Sequence, residues 1–378
     1  MATVRKRPYH KGTPNERQVW VVDYFSPDKT GQQKRHIETF EFKREAEARR
    51  KEIDAEVEKG IHTPKRQSIT VADAGELWIK QAEIDDLERS TVRQYRQHLD
   101  HHIKPFLGPT RLSELTLTTI QEFRNKLLAE GRSHDMTKRV IVSLGSILSH
   151  AMASGLVAHN VVKEQPREHR ARQRKRESRQ RRNLEAGVDF PTTEELRSLL
   201  TIQGPWRPLL VTVIFTGLRA SELRGLTWND VELDKPVLHV RQRADRWRTI
   251  GSPKSDSSKR DVPLAPIVVN TLREWKPICP RGELGLVFPT GTGTIWPLPN
   301  LYRSLNPVQE KLIGKAYGLH AFRHAAASLF IAEGFSPKRV QALIGHSSIQ
   351  VTFDVYGHLF PAPDELDAFK RLQARLVG

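Results

Sequence analysis

The chain has 378 residues, 61 Lys and Arg against 44 Asp and Glu, a formal net charge of +17 and a pI near 10.0. That length favours two or three domains, and so one-sided a charge is the footprint of a polyanionic partner, nucleic acid above all. Cys279 is the only cysteine, which excludes an internal disulfide or a cysteine-built zinc site. No run nears the ~18 apolar residues that span a bilayer, and Met1 to His10 is charged with no apolar stretch behind it, unlike a signal peptide. The expectation is a soluble, cytoplasmic protein with no membrane partner.

Residues 1–64 read as a small α+β sheet-helix module. Gln18 to Phe25 is rich in β-branched and aromatic residues, Lys34 to Phe40 forms a second strand-like run, and Ser26-Pro27-Asp28-Lys29-Thr30-Gly31 supplies turn chemistry between them. A third strand is expected within Thr3 to Tyr9, and a helix over Lys43 to Lys59. A small basic sheet of this kind either lays a face against a DNA groove or is a solvated cap.

Residues 68–165 are expected to form an all-α bundle of four or five helices. Val92, Tyr95, Leu99 and Ile103 recur at helical spacing, as do Ile120, Phe123 and Leu127, then Val140, Leu144, Ile147 and Leu148. Gly155 is placed to stop the last helix. A linker over 166–189 opens with Pro166 to Arg182, where nine Arg or Lys stand against two Glu without apolar periodicity. Such a run is either a solvated stretch or a strap that orders along phosphates, and its candidate DNA contacts are Arg170, Arg172, Arg174, Lys175 and Arg176.

The largest domain, 190–378, reads as mixed and mainly α with a small antiparallel sheet. Strands are expected over Val231–Val240, Trp247–Gly251 and Arg260–Leu264, and helices over Ile267–Trp275, Leu301–Leu312, Ala321–Glu333 and Ser336–Ile344.

Three blocks in this domain carry candidate chemistry. In Phe215 to Leu223, an apolar helix over Pro208–Phe215 breaks at Gly217 and a new one is expected to start near Ser221, a good capping residue. Arg219 lies in that elbow, where its guanidinium can reach outward, and Glu222 is placed to hold an arginine or brace the backbone; a surface ion pair is the alternative. In Gly318 to His324, His320 and Arg323 share one face at a helix start, where the amino end already favours anions; decoration of a helix surface is the alternative. Last, Gly345-His346 is followed ten residues after His346 by Tyr356, the other tyrosines having the default reading of core residues.

In order and spacing these blocks resemble the signature of the tyrosine recombinases of the phage-integrase type. TGLRASEL is similar to the family's first arginine box, HAFRH to its His-x-x-Arg box and LIGHSSIQVTFDVYGHL to its final histidine and nucleophilic tyrosine. The resemblance spans the chain: 1–64 resembles an arm-type DNA-binding module, 68–165 a core-binding domain and 190–378 the catalytic domain. It implies that Arg219 and Arg323 grip the scissile phosphate, that His320 and His346 lie beside it and that Tyr356 attacks it. It further implies that Lys254 donates a proton to the leaving oxygen, with Lys259 in the same loop as the alternative, and that Glu222 supports the site. Ala325-Ala326 departs from relatives that often carry Thr or Ser after the second histidine.

Such chemistry needs no cofactor and no metal, because the phosphotyrosine ester stores the bond energy for resealing. There is neither a Gly-x-x-x-x-Gly-Lys-Ser/Thr phosphate loop nor a carboxylate cluster for paired magnesium ions. The implied partners are double-stranded DNA at core-type and arm-type sites, a homotetramer on that DNA, an excisionase and a host DNA-bending protein. The alternatives are a type IB topoisomerase, which has a similar tyrosine site, and a catalytically dead DNA-binding architectural protein.

Overall fold

The computed structural model describes residues 2–9, 17–27, 33–58, 68–163, 183–253, 258–360 and 365–377. The chain divides into two compact units, Met1–Arg179 and Gln180–Gly378.

In the first unit, β1 (Thr3–Tyr9), β2 (Arg17–Pro27) and β3 (Gln33–Phe40) form an antiparallel sheet in that order, with Val22 opposite Val4 and Glu38. The third strand expected in Thr3 to Tyr9 is β1. Strand alternation puts Val4, Trp20, Val22, Tyr24 and Phe40 on one face, where they pack with Ala46 and Ile53 of helix α1 (Lys43–Glu58). The other face carries Arg5, Asp23, Phe25, Arg35 and Ile37.

The bundle comprises α2 (Val71–Ile84), α3 (Arg89–His98), a π-turn over Leu99–Ile103, α4 (Lys104–Leu107), α5 (Leu117–Ala129) and α6 (His134–Ala153). Thr70, Thr116 and Ser133 cap α2, α5 and α6 through their hydroxyls. Gly155 stands just past α6 at φ 68°, a left-handed position that favours glycine. Leu99, Ile103, Phe123, Leu127, Leu144 and Ile147 are buried together, each contributing roughly 1.5–3 kcal/mol. Val92 and Tyr95 of the same periodic set are half-buried, and Tyr95 stacks on Trp78 at 4.2 Å.

The second unit begins with α7 (Thr193–Leu200), α8 (Arg207–Thr216) and α9 (Ala220–Gly225). Helix α8 is apolar on all sides and is buried almost throughout. The expected strand Val231–Val240 is two strands, β4 (Val231–Glu232) and β5 (Val237–Val240), because Leu233-Asp234-Lys235-Pro236 turns between them. Of Trp247–Gly251 only β7 (Ile250–Gly251) is strand, paired with β6 (Arg243–Ala244); Asp245 Oδ1 accepts the amides of Trp247 and Thr249 and closes the turn. Strand β8 (Arg260–Pro263) completes an antiparallel sheet in the order β4-β5-β8. Helices α10 (Pro266–Trp275), α11 (Leu298–Ile313), α12 (Leu319–Ala332), α13 (Pro337–Ile344), α14 (Ile349–Tyr356) and α15 (Glu365–Val377) follow.

Candidate active site

Helix α8 ends at Gly217, whose φ of 62° and whose contacts leave no room for a side chain: a Cβ there would meet Ile344 Cδ1 at 2.7 Å and Ala326 Cβ at 3.1 Å. The turn delivers Arg219 to the N-cap of α9, the place expected for a residue nearer Ser221. Glu222 accepts the Arg219 amide at 2.9 Å and its Nη1 at 2.7 Å. Arg219 Nη1 also donates to Ser258 Oγ at 3.4 Å and Nη2 to the Gly345 carbonyl. The guanidinium therefore points inward, against the expectation that it reaches outward, although its side chain remains 32% exposed.

Glu222 is buried beside a second arginine that the sequence reading passed over. Arg260 donates Nη1 and Nη2 to its two carboxylate oxygens at 3.1 and 2.8 Å, Nε to the Leu343 carbonyl at 2.7 Å and Nη1 to the Ser258 carbonyl at 3.0 Å. Burial alone pushes the Glu222 carboxyl up, but the Arg260 hydrogen bonds and the charges of Arg260 and Arg219 outweigh it and bring it to about 2. Through this fork β8, α9 and the end of α13 are tied at one point.

Helix α12 starts at Leu319 and carries His320, Arg323 and His324. Arg323 is 2% exposed and donates Nη1 to the Gly217 carbonyl at 3.0 Å. Its burial, then the like charge of Arg219, lower it to about 9, so it stays charged at neutral pH. His320 lies at the rim and His324 one turn deeper, their rings 4.5 Å apart edge to face. Enclosure first, then Arg323 and Arg219, lower His320. Enclosure, His320 and Arg323 bring His324 to about 4.

Helix α14 is capped by Ser348 and ends on Tyr356, whose side chain is 1% exposed. The Tyr356 hydroxyl lies 2.8 Å from His324 Nδ1. Its ring is nearly parallel to that of His346, 9° apart in plane at 6.1 Å, and His346 Nδ1 meets Thr352 Oγ1 at 3.0 Å. Burial pushes the phenol up to about 12 against the pull of Arg323. Burial, then the charges of Arg323 and Arg219, hold His346 down at about 4. His324, His346 and Arg323 thus act on the phenol directly, with His320 against His324 and the charge of Arg219 reaching Arg323 and His346, a constellation able to bind an anion and accept a proton.

The structure brings together Arg219, Glu222, His320, Arg323, His346 and Tyr356. It adds His324 and Arg260. His324 was legible in principle, since it follows His320 by four residues on the same helix and shares its face. Lys254 and the linker residues Arg170, Arg172, Arg174, Lys175 and Arg176 lie outside the described residues; Lys259 is described and exposed. Among the described residues no group of three or more His, Cys, Asp or Glu is placed to hold a metal ion, and no helix is long and apolar enough to cross a membrane.

A mostly helical fold with small antiparallel sheets, closed around a tyrosine, arginines and histidines, defines an enzyme class that transfers DNA strands through tyrosine. The chain belongs to the phage integrase family of tyrosine recombinases: the model of that family matches residues 192–362, and that of the phage integrase N-terminal SAM-like domain matches residues 70–128. A XerC-like tyrosine recombinase of Caldanaerobacter subterraneus is 25% identical, covering 84% of this chain and 86% of its own. The ICEBs1 integrase of Bacillus subtilis is 22% identical over 79% and 81%, and the prophage phiRv2 integrase of Mycobacterium tuberculosis 24% over 87% and 86%. The Tn1549 transposon integrase in complex with a circular intermediate DNA has the same fold, with a TM-score of 0.64 at 20% identity over 81% of this chain and 99% of its own. Lambda integrase, as a tetramer bound to a Holliday junction, aligns with a TM-score of 0.56 at 18% identity over 90% and 92%.

Proposed function

We propose that this tyrosine recombinase integrates and excises a mobile element such as a prophage, with Tyr356 as its nucleophile. The observation that carries the assignment is the Tyr356 hydroxyl at 2.8 Å from His324 Nδ1, under the electrostatic influence of Arg323. In this reading Arg219 and Arg323 receive the nonbridging oxygens of a phosphodiester, where fixed donors act as charge gathers in the transition state. The phenol oxygen bonds to phosphorus, the bond from phosphorus to the 5′ oxygen breaks, the phenol proton passes to His324, and Lys254 gives a proton to the leaving oxygen. The product is a 3′-phosphotyrosine and a free 5′ hydroxyl, and attack by a 5′ hydroxyl reverses the step.

Timing follows from the site's acidities. Free transfer from a phenol at about 12 to an imidazole at about 4 is uphill by on the order of 11 kcal/mol. The proton therefore moves as the oxygen–phosphorus bond forms, when the phenol oxygen loses its basicity, and an incoming phosphate anion raises the imidazoles from their lowered values. His320 and His346 line the phosphate, and Glu222 with Arg260 holds Arg219.

The rest of the chain fits DNA in parts. Residues 1–64 serve as the arm-type module, 68–165 as the core-binding domain, and 190–378 as the catalytic domain. The basic linker 166–189 lies along phosphates through Arg170, Arg172, Arg174, Lys175 and Arg176. Four copies assemble on two duplexes, with an excisionase and a host DNA-bending protein setting direction at the nucleoid. Helix α15 supports that assembly, since Leu366, Phe369, Leu372 and Leu376 are at least 50% exposed and suit a neighbouring copy better than water.

The test is covalent capture on sheared genomic DNA, comparing the wild type with Tyr356→Phe. Tyr356-dependent adducts at one or a few sites are expected. Scattered adducts would indicate a topoisomerase, and tight binding without adduct would indicate a DNA-binding protein that no longer cuts.

A further inference from the structure

The outer face of the N-terminal sheet carries an acid among its arginines. Asp23 is on the strand face turned away from α1, yet its side chain is only 7% exposed. Arg35 holds it at both oxygens, Nε to Oδ1 at 2.9 Å and Nη2 to Oδ2, and Arg5 reaches the same Oδ2 through Nη2. Arg5 and Arg35 themselves stay 40% and 48% exposed. Beside them stand two exposed apolar side chains: Phe25, opposite Arg35 in the register and 59% exposed, and Ile37, opposite Asp23 and 50% exposed.

A face built only to hold phosphates has no use for a carboxylate, which repels them. What the carboxylate does supply is orientation. A guanidinium has five N–H groups in a fixed fork. Gripping Arg35 by its Nε and Nη2 side leaves the Nη1 and Nη2 edge directed away, and that edge matches O6 and N7 of guanine. Three strands about 4.8 Å apart fit a major groove about 12 Å wide, and exposed apolar groups suit thymine methyls.

We propose that Asp23 is a specificity-determining residue, fixing Arg5 and Arg35 to read guanine in the major groove. The inference rests on the reading of residues 1–64 as a DNA-facing module. An ordinary surface ion pair contributes little in either direction. Asp23 instead has effects of opposite sign on two ligands: it tightens binding where guanines face the arginines and weakens binding everywhere else by adding a negative charge.

The experiment uses the full chain and duplexes selected from a random-sequence pool, with affinities measured for the selected duplex, its guanine-to-adenine versions and an unrelated duplex. In Asp23→Asn the preference for guanine over adenine is expected to fall about tenfold, while affinity for the unrelated duplex holds or rises. Asp23→Glu, which keeps the charge but displaces the carboxylate by one methylene, should show an intermediate preference and guards against misfolding of the first variant. Unchanged guanine preference, or equal loss on selected and unrelated duplexes, overturns the inference. A double variant Arg5→Ala/Arg35→Ala separates the two ideas. If it binds every duplex like the wild type, the DNA-facing reading itself fails; if it binds poorly while Asp23→Asn keeps its preference, only the role of Asp23 fails.

Discussion

His324 Nδ1 and the Tyr356 hydroxyl oxygen are 2.8 Å apart, a hydrogen bond between one turn of α12 and the last residue of α14. His320 and His346 flank the pair without touching that oxygen as closely: His346 spends its Nδ1 on Thr352. Replacement of His324 by Ala should slow covalent-adduct formation by roughly 10²–10⁴-fold, the usual worth of a positioned proton acceptor, with DNA affinity nearly unchanged. Single-turnover cleavage of a nicked duplex measures this. A variant that cuts at the wild-type rate would move the role to His320 or His346.

Arg260 and Glu222 are 6% and 3% exposed and meet through two hydrogen bonds. Arg260→Ala leaves the buried Glu222 carboxylate with Arg219 but without its two-pronged partner, and should cost about 3 kcal/mol of stability. The double variant Arg260→Met/Glu222→Gln removes both charges of the pair and should be more stable than Arg260→Ala in denaturant unfolding. It should still cut slowly, because a glutamine has one acceptor oxygen and cannot take both the Arg219 amide and its Nη1 as the carboxylate does. A double variant no more stable than the single one would show that the pair's charge is not what matters.

The site also sets a pH dependence of stability in the free chain. His324 and His346 sit at about 4 when folded, against 6.5 for the unperturbed group, so the unfolded chain binds more protons between those values. Their contribution is complete above about pH 6.5 and is lost as pH falls toward 4. Glu222, at about 2 against 4.5, acts in the same sense lower down: its contribution is present above 4.5 and lost as pH falls through 2. Denaturant unfolding at pH 7.5 and 5.0 should show the wild type losing more stability than His324→Gln/His346→Gln. Equal losses would mean that the two imidazoles titrate in the folded chain as they do in the unfolded one.

Much of this was legible in the residues. The bundle's apolar stripes at Leu99, Ile103, Phe123 and Leu144 are its core, because a 3.6-residue period leaves few other arrangements. The arginine, histidine and tyrosine blocks converge on one site. What escaped depends on tertiary placement. Arg260 read as an ordinary strand residue, since its acceptors Glu222 and Leu343 are 38 and 83 positions away. The inward turn of Arg219 follows from the Gly345 carbonyl, 126 positions distant. The short strand β6 was missed because two residues carry no period, and only the Asp245 turn pairs them with β7.

Helix α15 presents Leu366, Phe369, Leu372 and Leu376 at 66%, 69%, 50% and 74% exposure. Spaced three and four apart, they form one stripe. Burying four such side chains against a second copy would contribute several kcal/mol at roughly 25 cal/mol per Å², enough to help hold together the proposed assembly of four copies on DNA. Leu372→Ser/Leu376→Ser, or truncation before Pro363, should therefore weaken assembly on four-way junction DNA by tenfold or more. Binding of one copy to a half-site should stay within about twofold, because the stripe plays no part in it. Gel-shift titration on half-site and junction substrates reads both quantities. Parallel loss on the two substrates would mean that the helix stabilises its own domain, and an unchanged junction complex would mean that the stripe has no partner in the assembly.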